Sequence, residues 1–272
     1  MAADSPTVLI TGASSGIGAA TAERLLKRGW RVIAAARRTD TMQPLAERGA
    51  VVEPLDLSEP ESRQDLADRL RERFGALDAL INSAGFAEVG PLETMSLERA
   101  RGIFEVNVFG LMGLTQLLLP PMRERGRGRI INISSIAGRW VTPGSGWYGA
   151  SKFALEALSD ALRLELKAFG LEVIVIEPGL IRTPFPDRTA ASMRQAQSCA
   201  VYGGMMRKVQ RSWEAIYRGA SSPQEVARTI EEALTQADPP DRYLCGHQWE
   251  SVLANRLLPT GLWDRLIRMR MT

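Results

Sequence analysis

Ser135, Tyr148 and Lys152 are the residues whose types and spacing can do chemistry together. Arg129 to Ile133 reads as a short β-branched strand ending in Ser134 and Ser135. After a Gly/Pro-rich loop, a helical pattern opens near Trp147. Tyr148 and Lys152 lie four apart and so share one helix face. A phenol, with a pKa of about 10, is a poor acid or base at neutral pH. A lysine ammonium beside it is expected to lower that pKa. The tuned phenol can then give a proton to a carbonyl oxygen or take one from an alcohol. A serine hydroxyl at the same oxygen orients it and stabilises developing charge. The trio holds no electron source, so redox chemistry requires a cofactor site elsewhere. Tyr-x-x-x-Lys alone also fits any amphipathic helix, and the decision rests on the N-terminus.

There, Gly12, Ser14, Ser15, Gly16, Ile17 and Gly18 stand between an apolar strand, Thr7 to Ile10, and a helix. Glycines at such a junction allow a tight turn and close backbone approach to a pyrophosphate, whose charge the helix N-terminus receives. The same residues contain Gly12-Ala13-Ser14-Ser15-Gly16, a match to the Gly-x-Ser-x-Gly elbow of serine hydrolases, with His247 downstream. Architecture argues against a hydrolase using Ser14. An elbow needs several earlier strands and an oxyanion loop, and one strand precedes Ser14.

Strand and helix alternate along the chain. Strands are expected at Arg31 to Ala36, Ala50 to Leu55, Asp78 to Ile81, Glu172 to Ile176 and around Tyr243-Leu244, besides the two above. Helices are expected between them: a short one over about Met42 to Arg48, one after a Ser58/Glu61 capping box and running to Phe74, and one from Ser96 past Asn107 that stops at Pro120-Pro121. Two more run from Trp147 to about Phe169 and from a Ser222/Glu225 capping box with Pro223 in its first turn. Residues 184–220 read as irregular, and the tail from Trp249 as short amphipathic helices. This rhythm predicts an α/β fold, a mostly parallel seven-stranded sheet with helices on both faces, in a single domain over residues 1–272.

Composition narrows the function. A net charge of +3 over 272 residues, with no basic run interleaved with aromatics, argues against nucleic acid. Two cysteines and one histidine leave no metal spacing and little room for histidine catalysis. The start carries no apolar leader, so a cytoplasmic location is expected. The longest apolar stretch, Val106 to Met122, is interrupted by Asn107, Thr115, Gln116 and two prolines and reads as too short and too broken for an integral membrane segment.

Together these pieces resemble the short-chain dehydrogenase/reductase family from residue 7 to about 185. The first turn is similar to its Thr-Gly-x-x-x-Gly-x-Gly, Asp56-Leu57 to its adenine-side pair, and Asn82-Ser83-Ala84-Gly85 to its Asn-Asn-Ala-Gly, with Ser83 a departure. Ser135 precedes Tyr148 by thirteen, Asn107 falls at the fourth catalytic position, and Pro178-Gly179 through Ile181 and Thr183 resembles its nicotinamide-side motif. The resemblance implies a Rossmann-type doubly wound fold and a nicotinamide cofactor held by these segments. It implies Tyr148 as general acid/base, Lys152 tuning it and holding the ribose, Ser135 on the substrate oxygen, and Asn107 anchoring a water. A cofactor-binding member with a non-redox role (epimerase, dehydratase or regulator) is the alternative. The intact Asn107, Ser135, Tyr148 and Lys152 argue against a dead regulator.

At the end of the second strand Ala36 is followed by Arg37 and Arg38, where an acidic residue would favour NAD. Arginine there meets a 2′-phosphate, so NADP is expected, with Arg37 the main contact and NAD the lesser option. The substrate side offers Trp140, Trp147 and Phe185 among many apolar residues, which suits a bulky hydrophobic carbonyl or alcohol. The likeness is to the hydroxysteroid- and retinol-dehydrogenase branch. Residues 184–220 are expected to form a lid, and the basic amphipathic tail over 249–272 to cover the chain's own pocket or a neighbour. By the same resemblance a homodimer or homotetramer is expected, paired through the Ser96 and Tyr148 helices.

Overall fold

Short aliphatic runs build the sheet. The strands of the computed structural model are β1 (Thr7–Thr11), β2 (Arg31–Ala36), β3 (Val51–Pro54), β4 (Ala79–Asn82), β5 (Gly128–Ile133), β6 (Leu171–Pro178) and β7 (Arg242–Cys245). The structure describes residues 5–183 and 185–271, the side chains of 185–188 and 270–271 excepted. The strands form one sheet in the order β3-β2-β1-β4-β5-β6-β7, every pair parallel. Sequential strands run outward to β3 on one side of β1 and to β7 on the other. The reversal lies between β1 and β4, and a crevice opens beyond the strand ends at such a point.

Side chains alternate across the sheet, as the pleat requires. Val8, Ile10, Val32 and Ala34 pack with α1 (Gly16–Lys27) and α9 (Pro223–Thr235) on one face. Leu9, Ile33, Leu80 and Ile130 pack with α3 (Pro60–Phe74), α5 (Leu111–Arg125) and α6 (Gly146–Leu166) on the other. Burial on both faces explains why the strands read as nearly continuous apolar runs. The remaining helices are α2 (Gln43–Ala46), α4 (Leu97–Phe104), α7 (Phe185–Gln197), α8 (Gly203–Tyr217), α10 (Glu250–Leu257) and α11 (Thr260–Met271).

Four local expectations fail. Ser58 does not cap α3: its hydroxyl donates to Asp56 Oδ1 at 2.6 Å, and the helix begins a residue later behind Glu59. Ser222 does precede Pro223 at the start of α9, but its side chain makes no cap bond. The helix from Leu97 does not stop at Pro120. It continues through a π-helical turn at Glu105–Gly110 and through both prolines to Arg125, where Gly126 closes it at φ 72°. Leu118 and Met122 flank the prolines and are buried against the sheet. That packing outweighs the two backbone bonds the proline nitrogens cannot make. The resulting helix of 29 residues, Leu97–Arg125, is long and apolar enough to cross a membrane by length and composition, with a mean hydropathy of 1.5 in its most apolar window. It lies here against α3 and the sheet, with 44% of that window buried. Lastly, with residue 184 lying outside the described residues, the stretch expected to be irregular over 184–220 carries α7 and α8 from residue 185 on. Their buried Met193, Ala196, Met206 and Val209 cluster with Val89 at helical spacing. The turn-forming glycines and the scattered aromatics of this stretch obscure that period.

Candidate active site

A cleft of about 860 Å³ lies across the C-terminal strand ends at the reversal point. Its floor begins with the glycine turn. Gly12 sits at φ +70°, and a Cβ there would lie 2.7 Å from Ala84 Cα. A Cβ on Gly18 would stand 2.4 Å from the Gly12 carbonyl oxygen. Thr11 Oγ1 accepts from the Ser83 and Ala84 N–H groups at 3.1 Å, pinning the next strand's loop to this turn. Ser15 is the α1 N-cap, yet its side chain makes no cap bond and the first turn carries no acid. The helix start therefore presents its N–H groups and positive end to the cleft. Ser14, Ser15, Gly16, Ile17 and Gly18 all line it.

Arg37 and Arg38 line the rim at the end of β2 and are exposed. Asp56 and Leu57 face them from the end of β3. Burial alone would raise the Asp56 pKa. The Ser58 hydroxyl and N–H donate to its carboxylate and Arg37 adds its charge, so the net shift is downward. Ala84, Gly85, Pro178, Gly179, Ile181 and Thr183 also line the cleft. Asn82 does not face it. Its Nδ2 donates to Thr115 Oγ1 (3.1 Å) and Asn132 Oδ1 (2.9 Å), which makes it a buried strut between β4, α5 and β5.

On the other side of the cleft stand Ser135, Tyr148 and Lys152. Ser135 caps a short 3₁₀ turn, accepting from Ala137 N–H at 3.1 Å and donating to the Pro178 carbonyl at 3.5 Å, and its hydroxyl draws the Tyr148 pKa down. The expected tuning of Tyr148 by Lys152 is not what the geometry gives. Lys152 Nζ donates to the Ile133 carbonyl at 2.8 Å and stands 5.9 Å from the Tyr148 ring centroid. Burial pushes the phenol up to about 12, against the pull of the Ser135 bond. Burial also brings the Lys152 ammonium down to about 8, against the charge of Glu156. Low-dielectric surroundings penalise both charged forms, and here they outweigh pairwise attraction.

Asn107 lies in the π-helical turn. Its Oδ1 accepts from Phe86 N–H and its Nδ2 donates to the Phe86 carbonyl, each at 3.0 Å, with a further bond to Ser151 Oγ at 3.1 Å. It thus ties the loop after β4 to α6, one residue before Lys152. Trp140 lines the cleft; Trp147 does not, because its ring packs edge-on against Phe104 with centroids 6.3 Å apart. The Phe185 side chain lies outside the described residues. No hydrogen bond joins Ser14 to His247 among the described residues. His247 instead pairs by backbone with Leu180 and closes over Gly179, whose Cβ would fall 1.8 Å from its carbonyl oxygen.

One feature was not legible as functional in the sequence. Behind the trio, Glu156 and Glu177 are both buried and share Arg139 and Arg242. Arg139 Nη2 reaches Glu177 at 2.5 Å and Glu156 at 3.4 Å; Arg242 Nε reaches them at 3.3 Å and 3.2 Å. Burial and the neighbouring Glu177 charge raise the Glu156 pKa, against the two arginines. The cluster joins the Ser135 turn, α6, β6 and β7. The available signal was a glutamate four residues beyond Lys152, on the same helix face.

The buried lysine has a consequence for stability. Between its folded pKa of about 8 and the ordinary 10.5, the unfolded chain holds a proton that the folded chain does not, so stability rises with pH across that window. Below it, the charged ammonium is a cost of folding. Lys152→Met is expected to be about 1–2 kcal/mol more stable than wild type at pH 7, after the loss of the bond to Ile133 is subtracted. It should also lose the rise toward pH 10. Urea unfolding at the two pH values measures both, and a variant less stable at pH 7 would contradict the account.

A parallel sheet with its cleft at the strand-order reversal, fed by a glycine turn at a helix N-terminus, is a Rossmann-type α/β fold. Its family follows from comparison with known proteins. The model of the short chain dehydrogenase family matches residues 6–194, and the chain belongs to that family of oxidoreductases. It is 38% identical to the oxidoreductase YbbO of Escherichia coli K12 over 96% of this chain and 94% of that one. It is 34% identical to human retinol dehydrogenase 5 over 96% and 87%. Among solved structures, a short-chain dehydrogenase from Streptomyces avermitilis superposes with a TM-score of 0.80 at 32% identity, covering 98% of each chain. A short-chain dehydrogenase/reductase from Burkholderia phymatum in complex with NAD gives 0.79 at 28% identity over 93% and 92%. A serine dehydrogenase complexed with NADP+ gives 0.75 at 27% over 88% and 94%.

Proposed function

We propose that this chain is an NADP-dependent oxidoreductase that interconverts a hydrophobic ketone or aldehyde and its alcohol, with Tyr148 as the general acid/base. The observation that carries this is that Ser135, Tyr148 and Lys152 line one largely apolar cleft together with the glycine turn, with Tyr148 and Lys152 on the same helix face. The residues present fit a nicotinamide dinucleotide. The α1 N-terminus, free of acids and of a side-chain cap, suits a pyrophosphate at Gly12, Ser14, Ser15, Gly16, Ile17 and Gly18. Asp56 and Leu57 suit the adenine, with Arg37 and Arg38 beside a 2′-phosphate. Lys152, Pro178, Gly179, Ile181 and Thr183 would border the nicotinamide half. Solved relatives bound to NAD and to NADP support this class of cofactor.

When bound, the nicotinamide supplies or takes up the hydride. Ser135 donates to the substrate oxygen and holds it at Tyr148. The phenol at neutral pH carries its proton and gives it to that oxygen in reduction. Lys152, donating to Ile133, keeps a positive charge near the forming phenolate. Asn107 fixes the loop and helix between which Lys152 sits. Helices α7 and α8 form a lid, clasped to the loop after β4 by Ser192 (which accepts from Val89 N–H at 2.9 Å), Thr189 and Tyr202. Exposed Phe109 on the π-helical turn and Leu164 on α6 are consistent with subunit pairing.

The test is NADPH consumption across a panel of bulky ketones, aldehydes and ketosteroids. Turnover of hydrophobic members is expected. Tight NADPH binding with no turnover on any of them would sink the reading.

A further inference from the structure

A second cavity, of about 730 Å³, lies beside the main cleft. Trp140, Thr142 and Ile267 line both spaces, so the two share a partition. Met205 and the buried Trp263 give the second cavity apolar lining, with the exposed Leu92 and Phe153 at its opening. Trp140 follows the Ser135 turn in sequence, but what holds its indole comes from the C-terminal helices. Its Nε1 donates to Ser251 Oγ on α10 at 3.0 Å. Its ring meets Trp263 of α11 edge-on, with centroids 5.1 Å apart and planes at 80°. Ile267 stands one turn beyond Trp263 on the same face of α11, and each is only 9% exposed. The indole is thus held by one hydroxyl and one edge contact, both from the C-terminal helices.

We propose that the second cavity takes the distal hydrocarbon of a substrate whose oxygen sits between Ser135 and Tyr148, and that Trp140 and Ile267 set the chain length admitted. The occupant follows from continuity and chemistry. Trp140, Met205, Trp263 and Ile267 give it apolar lining, it adjoins the cleft that holds Ser135 and Tyr148, and the exposed Glu93, Asp264 and Arg268 also line it. A long unbranched chain buries its methylenes along such a wall and ends at a polar rim. The substrate class is then long-chain aliphatic carbonyls or alcohols. This inference rests on the carbonyl–alcohol reading above.

The test uses the full chain with NADPH and a homologous series of straight-chain methyl ketones, followed by kinetics and by calorimetric binding. Asn255 lines the second cavity from α10 and stands apart from the reacting groups, so Asn255→Trp fills that space alone. In wild type, kcat/KM and affinity are expected to climb about fourfold per methylene, past the length that fills the main cleft. In Asn255→Trp the climb stops at a shorter chain while short ketones are unaffected. Trp263→Leu, which loosens the partition, moves the stopping point to longer chains. Identical ladders in wild type and both variants, or losses equal at every chain length, would overturn the proposal. A binding ladder truncated by Asn255→Trp, with no ketone reduced, keeps the subsite and removes the redox reading instead.

Discussion

Tyr148→Phe is expected to lower turnover by about 10²- to 10⁴-fold while leaving cofactor affinity unchanged. The substitution removes one oxygen and keeps the ring, so packing around α6 is retained. No other group in the trio replaces the lost proton. The Ser135 hydroxyl is far less acidic, and the Lys152 ammonium is turned to the Ile133 carbonyl. The phenol's pKa, pushed to about 12, gives the two directions opposite pH behaviour. Carbonyl reduction needs the protonated phenol, present throughout the neutral range, so kcat/KM for reduction stays flat there and falls at strongly alkaline pH. Alcohol oxidation needs the phenolate, so its rate climbs about tenfold per pH unit until the phenol titrates. Bound cofactor that lowers the phenol's pKa moves both limbs to lower pH without exchanging them. Steady-state rates in both directions, with cofactor titration of the variant, measure this. Turnover retained in Tyr148→Phe would remove Tyr148 from the proton path.

Arg37→Asp should reverse cofactor choice, lowering the NADPH/NADH ratio of kcat/KM by about 10²-fold or more. A charge-assisted bond to a 2′-phosphate is worth about 1.5–3 kcal/mol, and the introduced carboxylate both repels that phosphate and accepts from a ribose hydroxyl. The position suits this role because Arg37 is exposed at the rim, at the end of β2, with its charge already felt by Asp56 after the neighbouring strand. The phosphate contact should weaken as salt is raised, since an exposed pair is screened. Fluorescence titrations with both dinucleotides at two ionic strengths give the ratio directly. An unchanged preference would assign the phosphate to Arg38 or Ser15, or the chain to NAD.

The α/β alternation, the seven strands and the glycine turn were legible along the chain, because these are local. A strand buried on both faces needs a continuous apolar run, and a turn that brings Gly12 against Ala84 admits no Cβ. Tyr148 and Lys152 on one helix face follow from spacing alone. Features that depend on neighbours distant in the chain were not legible there. Asn82 reads as a cofactor contact and Trp147 as a substrate contact until β5 and α4 are seen to occupy their side chains. Pro120 and Pro121 look like a helix end, and the sheet's packing against Leu118 and Met122 carries the helix through them. Burial, a property of the whole molecule, reversed the expected tuning of Tyr148, since a pKa responds to everything that excludes water from the group. The partition formed by Trp140 and Ile267 joins residues more than a hundred positions apart, and no periodicity in a single sequence encodes such a meeting.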